Sequence, residues 1–236
     1  MPALADTTPT AGTSRPGSRS LAFLAPVLLV VVTAAACTDD TAGSAPAATS
    51  WPADAQVVVE SVAVTDDEIA DLLWMREEEQ LAHDLYTALG DLWGLRIFEN
   101  IAASERSHID AVAAALVRHD IEDPAVGNEP GTFTEPAIQE LYDELLADGT
   151  VSLEAALSVG ALVEEMDIVD LRSGAATTEV ADIDALYVEL ERASRNHLRA
   201  FTSQLDTRGL EYRPTELDRD AYDAIVSSET ERGRDR

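Results

Sequence analysis

Beyond residue 65 the apolar residues recur in steps of three and four, the spacing of helices with one buried face. Thr65-Asp66-Asp67-Glu68 fits a capping box and opens a first helix, expected to run to about Leu89 and to end at Gly90. Its stripe is Leu72, Met75, Ala82, Tyr86, Leu89 and Trp93, and the slot between Met75 and Ala82 holds Glu79. A second helix over about 96–119 carries Phe98, Ile101, Val112 and Ala115, with Glu105 and His108 in the two missing slots. Residues 124–131 read as a loop, and Pro136, tolerated in a first turn, opens a shorter helix to about Ala147. Ser152 caps a third long helix to about Arg172, with the stripe Leu153, Leu157, Gly160 and Leu171. Glu164 and Asp167 fill its gaps, while Glu165 lies on a second stripe with Leu162 and Val169. The fourth long helix, about 182–205, shows Ile183, Leu186, Leu190, Ala193 and Ala200, with His197 in the remaining slot. Residues 220–227 form a short closing helix. No period-two strand stands out, apart from a β-branched lead-in over 56–64, so the expected class is all-α.

The polar residues in these slots carry the chemical signal. An ionised carboxylate buried without a partner costs several kcal/mol, so one such slot needs an explanation and a set of them needs a common one. If the four long helices form a bundle, Glu79, Glu105, His108, Glu164, Asp167 and His197 converge at one level of its core. Residues three apart share a helix face, so Glu105 and His108 can reach one ion. Carboxylate oxygen and imidazole nitrogen suit iron, manganese or zinc, as one or two ions. Taken singly, each residue has a plainer reading. Glu79 ends the run Glu77-Glu78-Glu79, ordinarily a solvated face, and a lone His197 is ordinarily a satisfied core histidine. His83 and His119 read as surface or boundary residues.

Charge and composition narrow the class. The chain has 16 Lys+Arg, all of them Arg, against 45 Asp+Glu, a formal charge of −29. Such a field repels phosphate backbones and argues against nucleic acid as a partner. The single Cys excludes a disulfide framework and a Cys-based zinc or iron–sulfur site. No Gly-rich phosphate loop is present. Residues 21–36 are an uncharged, largely apolar run, shorter than the roughly 20 residues of a membrane span. The run ends Thr33-Ala34-Ala35-Ala36-Cys37, which resembles a bacterial lipobox and implies cleavage before Cys37 and its lipidation. The alternatives are an ordinary secretory signal, giving a secreted protein, and an uncleaved span. The expected organisation is a signal peptide at 1–36, a flexible tether at 37–59, a helical domain at 60–228 and a disordered tail at 229–236.

Several ordered segments resemble one family. Glu79-Gln80-Leu81-Ala82-His83-Asp84-Leu85-Tyr86 and the stretch from Ile97 to Glu105-Arg106-Ser107-His108 are similar to the first two helices of ferritin-like proteins. Val163-Glu164-Glu165-Met166-Asp167 and Ser194-Arg195-Asn196-His197, with Tyr212-Arg213-Pro214, resemble the DUF2202 family and, more distantly, rubrerythrin. The resemblance covers about residues 65–226. It implies a ferritin-like four-helix bundle with a long crossover, containing a short helix, between its second and third long helices. By position it implies metal ligands Glu79, Glu105, His108, Glu164 and His197, with Glu165 or Asp167 as alternates on the third long helix. Together with the lipobox-like segment, it implies a cell-surface metal-binding protein, either a di-iron oxidoreductase acting on peroxide, dioxygen or ferrous iron, or a non-catalytic metal-binding or sensing lipoprotein. A metal-free structural bundle is the third alternative, and a homodimer stays open. Ser194 stands where the fourth helix of di-iron proteins usually carries a Glu. The chain also lacks the cysteines of rubrerythrin's iron module, so redox turnover would draw on an external electron donor.

Overall fold

Thr65 starts the first helix, α1 (Asp66–Trp93), by the expected reciprocal cap. The Glu68 amide donates to Thr65 Oγ1 at 3.3 Å, and the Thr65 amide donates to Glu68 Oε2 at 2.8 Å. The other oxygen, Glu68 Oε1, accepts from the Thr178 hydroxyl at 2.6 Å and the Glu179 amide at 3.2 Å. One glutamate thus ties the start of α1 to the turn between two later helices. The structure is a computed structural model that describes residues 62–233. The signal segment, Cys37, the tether and most of the β-branched lead-in lie outside the described residues.

The remaining helices are α2 (Arg96–Arg118), α3 (Pro136–Gly149), α4 (Leu153–Thr177), α5 (Ala181–Asp206) and α6 (Arg219–Val226), with no strand among the described residues. The fold is all-α, as the spacing predicts. α1 packs along α2 and α4 along α5, and contacts of α1 with α4 and of α2 with α5 complete a four-helix bundle. The connection from α2 to α4 carries α3, which lies against α1 and α4, while α6 folds onto α5. No described helix is long and apolar enough to cross a membrane.

Two helices outrun their expected ends. α1 continues through Gly90, because that glycine sits where a Cβ would lie 3.3 Å from Phe98 Cβ, a close approach of α1 to α2. The terminator is Gly94, at φ 64°, whose amide caps Gly90 O. α4 passes Arg172 and runs through Gly174, where a Cβ would lie 2.6 Å from the Tyr187 ring, and it ends where Thr178 turns extended. On α5 the buried stripe is also rotated from the expected one. Tyr187, Ser194, Leu198 and Phe201 are buried, whereas Leu186, Ala193 and Ala200 are only partly so. The larger rings of Tyr187 and Phe201 take the interior. Residues 229–233, within the segment expected as a disordered tail, are among the described residues. Glu231 is clasped by Arg195 at 2.5 and 2.8 Å and by Arg199 at 2.6 Å, and its amide donates to Asn196 Oδ1 at 2.9 Å.

The apolar core comes in two parts. One gathers Leu81, Leu85, Tyr86, Phe98, Ile101, Leu157, Leu198 and Phe201; the other gathers Leu72, Met75, Val112, Leu116, Leu171, Ile183 and Leu190. In each long helix the polar slots fall between these two sets. A charged layer is therefore sandwiched between two dry ones, and the aromatic trio Tyr86, Phe98 and Phe201, with centroids 5.2–6.4 Å apart, closes one side. The trio fits because Gly160 leaves room. A Cβ there would stand 2.6 Å from the Phe201 ring. Gly160→Ala is expected to destabilise the fold by about 1–3 kcal/mol through overpacking. A thermal melt should show a midpoint several degrees lower, and an unchanged midpoint would contradict this packing.

Candidate metal centre

Glu105 is the middle of the charged layer. It is 2% exposed, and its two oxygens face two imidazoles. Glu105 Oε2 lies 2.6 Å from His108 Nδ1, and Oε1 lies 2.8 Å from His197 Nδ1. His108 Nδ1 is also 3.1 Å from Glu79 Oε2, and His197 Nδ1 is 3.4 Å from Glu164 Oε2. The donor atoms form two groups that share one residue: Glu79, Glu105 and His108, and Glu105, Glu164 and His197. Each helix contributes through a simple register. Glu79 and Glu164 occupy single core slots of α1 and α4, Glu105 and His108 sit one turn apart on α2, and His197 projects from α5.

The outer sides of these residues are held by neighbours. Ser104 Oγ lies 3.1 Å from His197 Nε2 and 3.5 Å from His108 Nε2, so one hydroxyl serves both rings on the side away from the carboxylates. The rings are stacked, 5.7 Å apart. The Tyr86 hydroxyl donates to Glu164 Oε1 at 2.7 Å, which assigns this tyrosine a positioning contact as well as a core one. Asp167 is buried, accepts a hydrogen bond from the Ser194 hydroxyl, and feels the negative charges of Glu79, Glu78 and Glu164.

The layer is charged but incompletely satisfied. Glu79 Oε1, Glu105 Oε1, Asp167 Oδ1 and His197 Nδ1 are buried with no hydrogen-bond partner among the described residues. Glu105 Oε1 and His197 Nδ1 are close but not aligned for a hydrogen bond. A divalent ion fits this donor set. Two ligand atoms at about 2.1 Å from one ion, at right angles to each other, lie about 3 Å apart, the range of the spacings above.

Without an ion, protons must do part of this work. Burial disfavours charge on His108 and His197, but Glu79 and Glu105 raise the first to about 11, and Glu105 and Glu164 raise the second to about 10. Burial pushes Glu79 up to about 7, against the pull of His108. Burial opposes the Glu105 charge too, yet the imidazoles of His197 and His108 hold its carboxyl well below the usual range. Burial raises Glu164, opposed by His197.

The structure brings Glu79, Glu105, His108, Glu164 and His197 together, and it separates Glu165 from them. One residue further round α4, Glu165 faces the segment after α5. There it accepts from the amides of Thr215, Glu216 and Leu217 at 2.9–3.1 Å and from the Tyr212 hydroxyl. Three amides hold one of its oxygens and the Tyr212 hydroxyl the other, and Glu165 is in neither donor group. The run Glu77-Glu78-Glu79 is not a solvated face either. Glu77 takes the amides of Thr134 and Glu135, each at 2.7 Å, and Glu78 accepts from Trp74 Nε1 at 3.1 Å. His83 and His119 are boundary residues paired with Asp84 and Asp182. Ser104 escaped the pattern because serine carries no periodic signal. Its position one turn before His108 is the only sequence cue.

Comparison with known proteins agrees in extent with the described helices. Residues 68–229 match the family described as "Uncharacterized protein domain (DUF2202)". A protein of Methanocaldococcus jannaschii, "Uncharacterized protein MJ0754", is 42% identical over 173 residues, 73% of this chain and 94% of the relative. The crystal structure of hypothetical protein MJ0754 superposes with a TM-score of 0.71 at 41% identity, covering 72% of this chain and 97% of that one.

The charge balance has a pH consequence for the metal-free protein. Glu79 is raised above its unfolded value, so its folded form holds an extra proton between about pH 4.5 and 7. His108 and His197 do the same from about pH 6.5 to 10–11. These groups stabilise the fold most at low pH and lose that contribution as pH rises. Urea unfolding of chelator-treated protein should show stability falling from pH 6 to 9; stability rising across that window would contradict the assignment.

Proposed function

The chain belongs to the DUF2202 family, and on that premise we propose that it is a ferritin-like protein whose bundle holds a pair of divalent metal ions. The observation that carries this reading is Glu105, buried between two imidazoles with one oxygen toward each donor group. Di-metal bundles draw a Glu from each of two helices and a Glu-x-x-His pair from each of the other two. Here Glu79 and Glu164 supply the first kind, Glu105 with His108 the second, and Ser194 with His197 an altered second pair. The proposed ligands are therefore Glu79, Glu105, His108, Glu164 and His197, with iron or manganese favoured and zinc compatible with the same donors.

Bound iron or manganese would supply redox chemistry toward peroxide, dioxygen or ferrous iron. The chain's own contribution is to orient the donors. Tyr86 fixes Glu164, Ser104 fixes both imidazoles, and the two apolar layers keep water away. Binding without turnover is the second reading. It is favoured by Ser194 in place of a carboxylate and by the lack of cysteines for a built-in iron module, so turnover requires an external electron donor.

The segment 21–36 and Cys37 support a cell-surface location, with the domain anchored to the membrane by lipid and held off it by residues 37–59. An acidic domain of this charge gains nothing from an anionic bilayer electrostatically, which makes the acyl chains the anchor.

Elemental analysis of protein purified from cultures supplied with iron, manganese and zinc tests the proposal. About two ions per chain are expected. Protein that retains none and takes up none after chelator treatment would return the bundle to a metal-free structural role. Peroxide consumption or ferrous oxidation by the iron-loaded form, with a chemical reductant supplied, then separates an oxidoreductase from a binding protein.

A further inference from the structure

Asp167 is a carboxylate for which the five-residue donor set has no use. It lies three residues after Glu164, on the same face of α4, and is 6% exposed. Its Oδ2 accepts from the Ser194 hydroxyl, while Oδ1 is buried without a partner. The charge with the largest influence on it is the carboxylate of Glu79, followed by Glu78 and Glu164. Glu79 Oε1 is itself buried and unpartnered. Carboxylates buried in one dry layer, with oxygens left unpartnered among the described residues, repel unless something positive lies among them.

Ser194 explains how Asp167 comes to be there. It occupies the slot three residues before His197, the place where a Glu-x-x-His pair would carry its Glu. Serine is short and leaves that volume free, and the Asp167 side chain enters from the neighbouring helix with the serine hydroxyl on one oxygen. The hydrogen bond fixes the rotamer and leaves the other oxygen for a ligand.

We propose that Asp167, held by Ser194 and with its other oxygen orphaned in the buried layer, is a further metal ligand of the centre that replaces from α4 the carboxylate missing from α5. This rests on the two-ion reading above. The hydroxyl–carboxylate pair does the work of one longer side chain.

The test is titration of the metal-stripped full chain with Co²⁺, read by visible absorption and by stoichiometry. The unaltered protein is expected to take up two ions. Asp167→Asn keeps the size of the side chain and removes the charge. It should weaken one of the two ions at least about tenfold, shift its absorption bands, and leave the other ion unchanged. Ser194→Ala leaves Asp167 in place but loose, and should weaken the same ion by about tenfold. Because Asp167→Asn keeps an oxygen for the Ser194 hydroxyl and removes a buried carboxyl crowded by other carboxylates, its metal-free melting temperature should be equal to or above that of the parent. Two ions bound by Asp167→Asn with unchanged affinity and spectrum would overturn the proposal. So would a lowered metal-free melting temperature with unchanged cobalt affinity, which marks a structural role. If Asp167→Asn does not fold, Ser194→Ala decides in the same way. A parent protein that binds no Co²⁺ at all would instead defeat the two-ion reading itself.

Discussion

A charged carboxylate cannot sit alone in the dry core of a helix bundle. Glu105 does sit there, and it is tolerable only because something positive lies on each side of it. Without metal that role falls to two imidazolium rings, which explains why both histidines hold protons far above their ordinary range. The arrangement is still imperfect, since buried polar atoms of Glu79, Glu105, Asp167 and His197 lack hydrogen-bond partners among the described residues. The proposed metal pair would remove the deficit with the same side chains. The two apolar layers on either side sharpen this constraint, because they exclude the water that would otherwise relieve it.

The acidic character of the chain takes a second form inside the fold. Glu68, Glu77 and Glu165 are buried, and each accepts backbone amides from a connecting segment: the turn before α5, the entry to α3, and the stretch after α5. These three glutamates tie connecting segments onto the bundle. They contrast with Glu79, Glu105 and Asp167, which keep an oxygen free. An anchoring carboxylate has both oxygens satisfied by backbone amides or hydroxyls of a connecting segment. Glu164 and Glu165 show this at adjacent positions, one facing His197 and the other facing Thr215 to Leu217.

Much of this was legible in the sequence. The three-four rhythm of Leu72, Met75, Phe98, Val112 and Leu157 marks helices that exist, and Glu79, Glu105, His108, Glu164 and His197 stand out because each interrupts it. Periodicity reads less well where size competes with spacing. On α5 the larger Tyr187 and Phe201 took the interior from Leu186 and Ala200, and this rotation is what turned Ser194 inward. Glycine reads ambiguously, because Gly90 serves a close helix approach and Gly94 a left-handed cap, and only the backbone tells them apart. Ser104 and the pairing of Asp167 with Ser194 join different helices, and no single-helix pattern contains them.

The central claim is that two ions share the Glu105 carboxylate, and anomalous scattering from crystals of the metal-loaded protein, collected on both sides of the metal's absorption edge, tests it most directly. The account predicts two peaks about 3.5–4 Å apart, one flanked by His108 and the other by His197, with Glu105 between them. A core without a peak, or a lone ion bound away from Glu105, would contradict it.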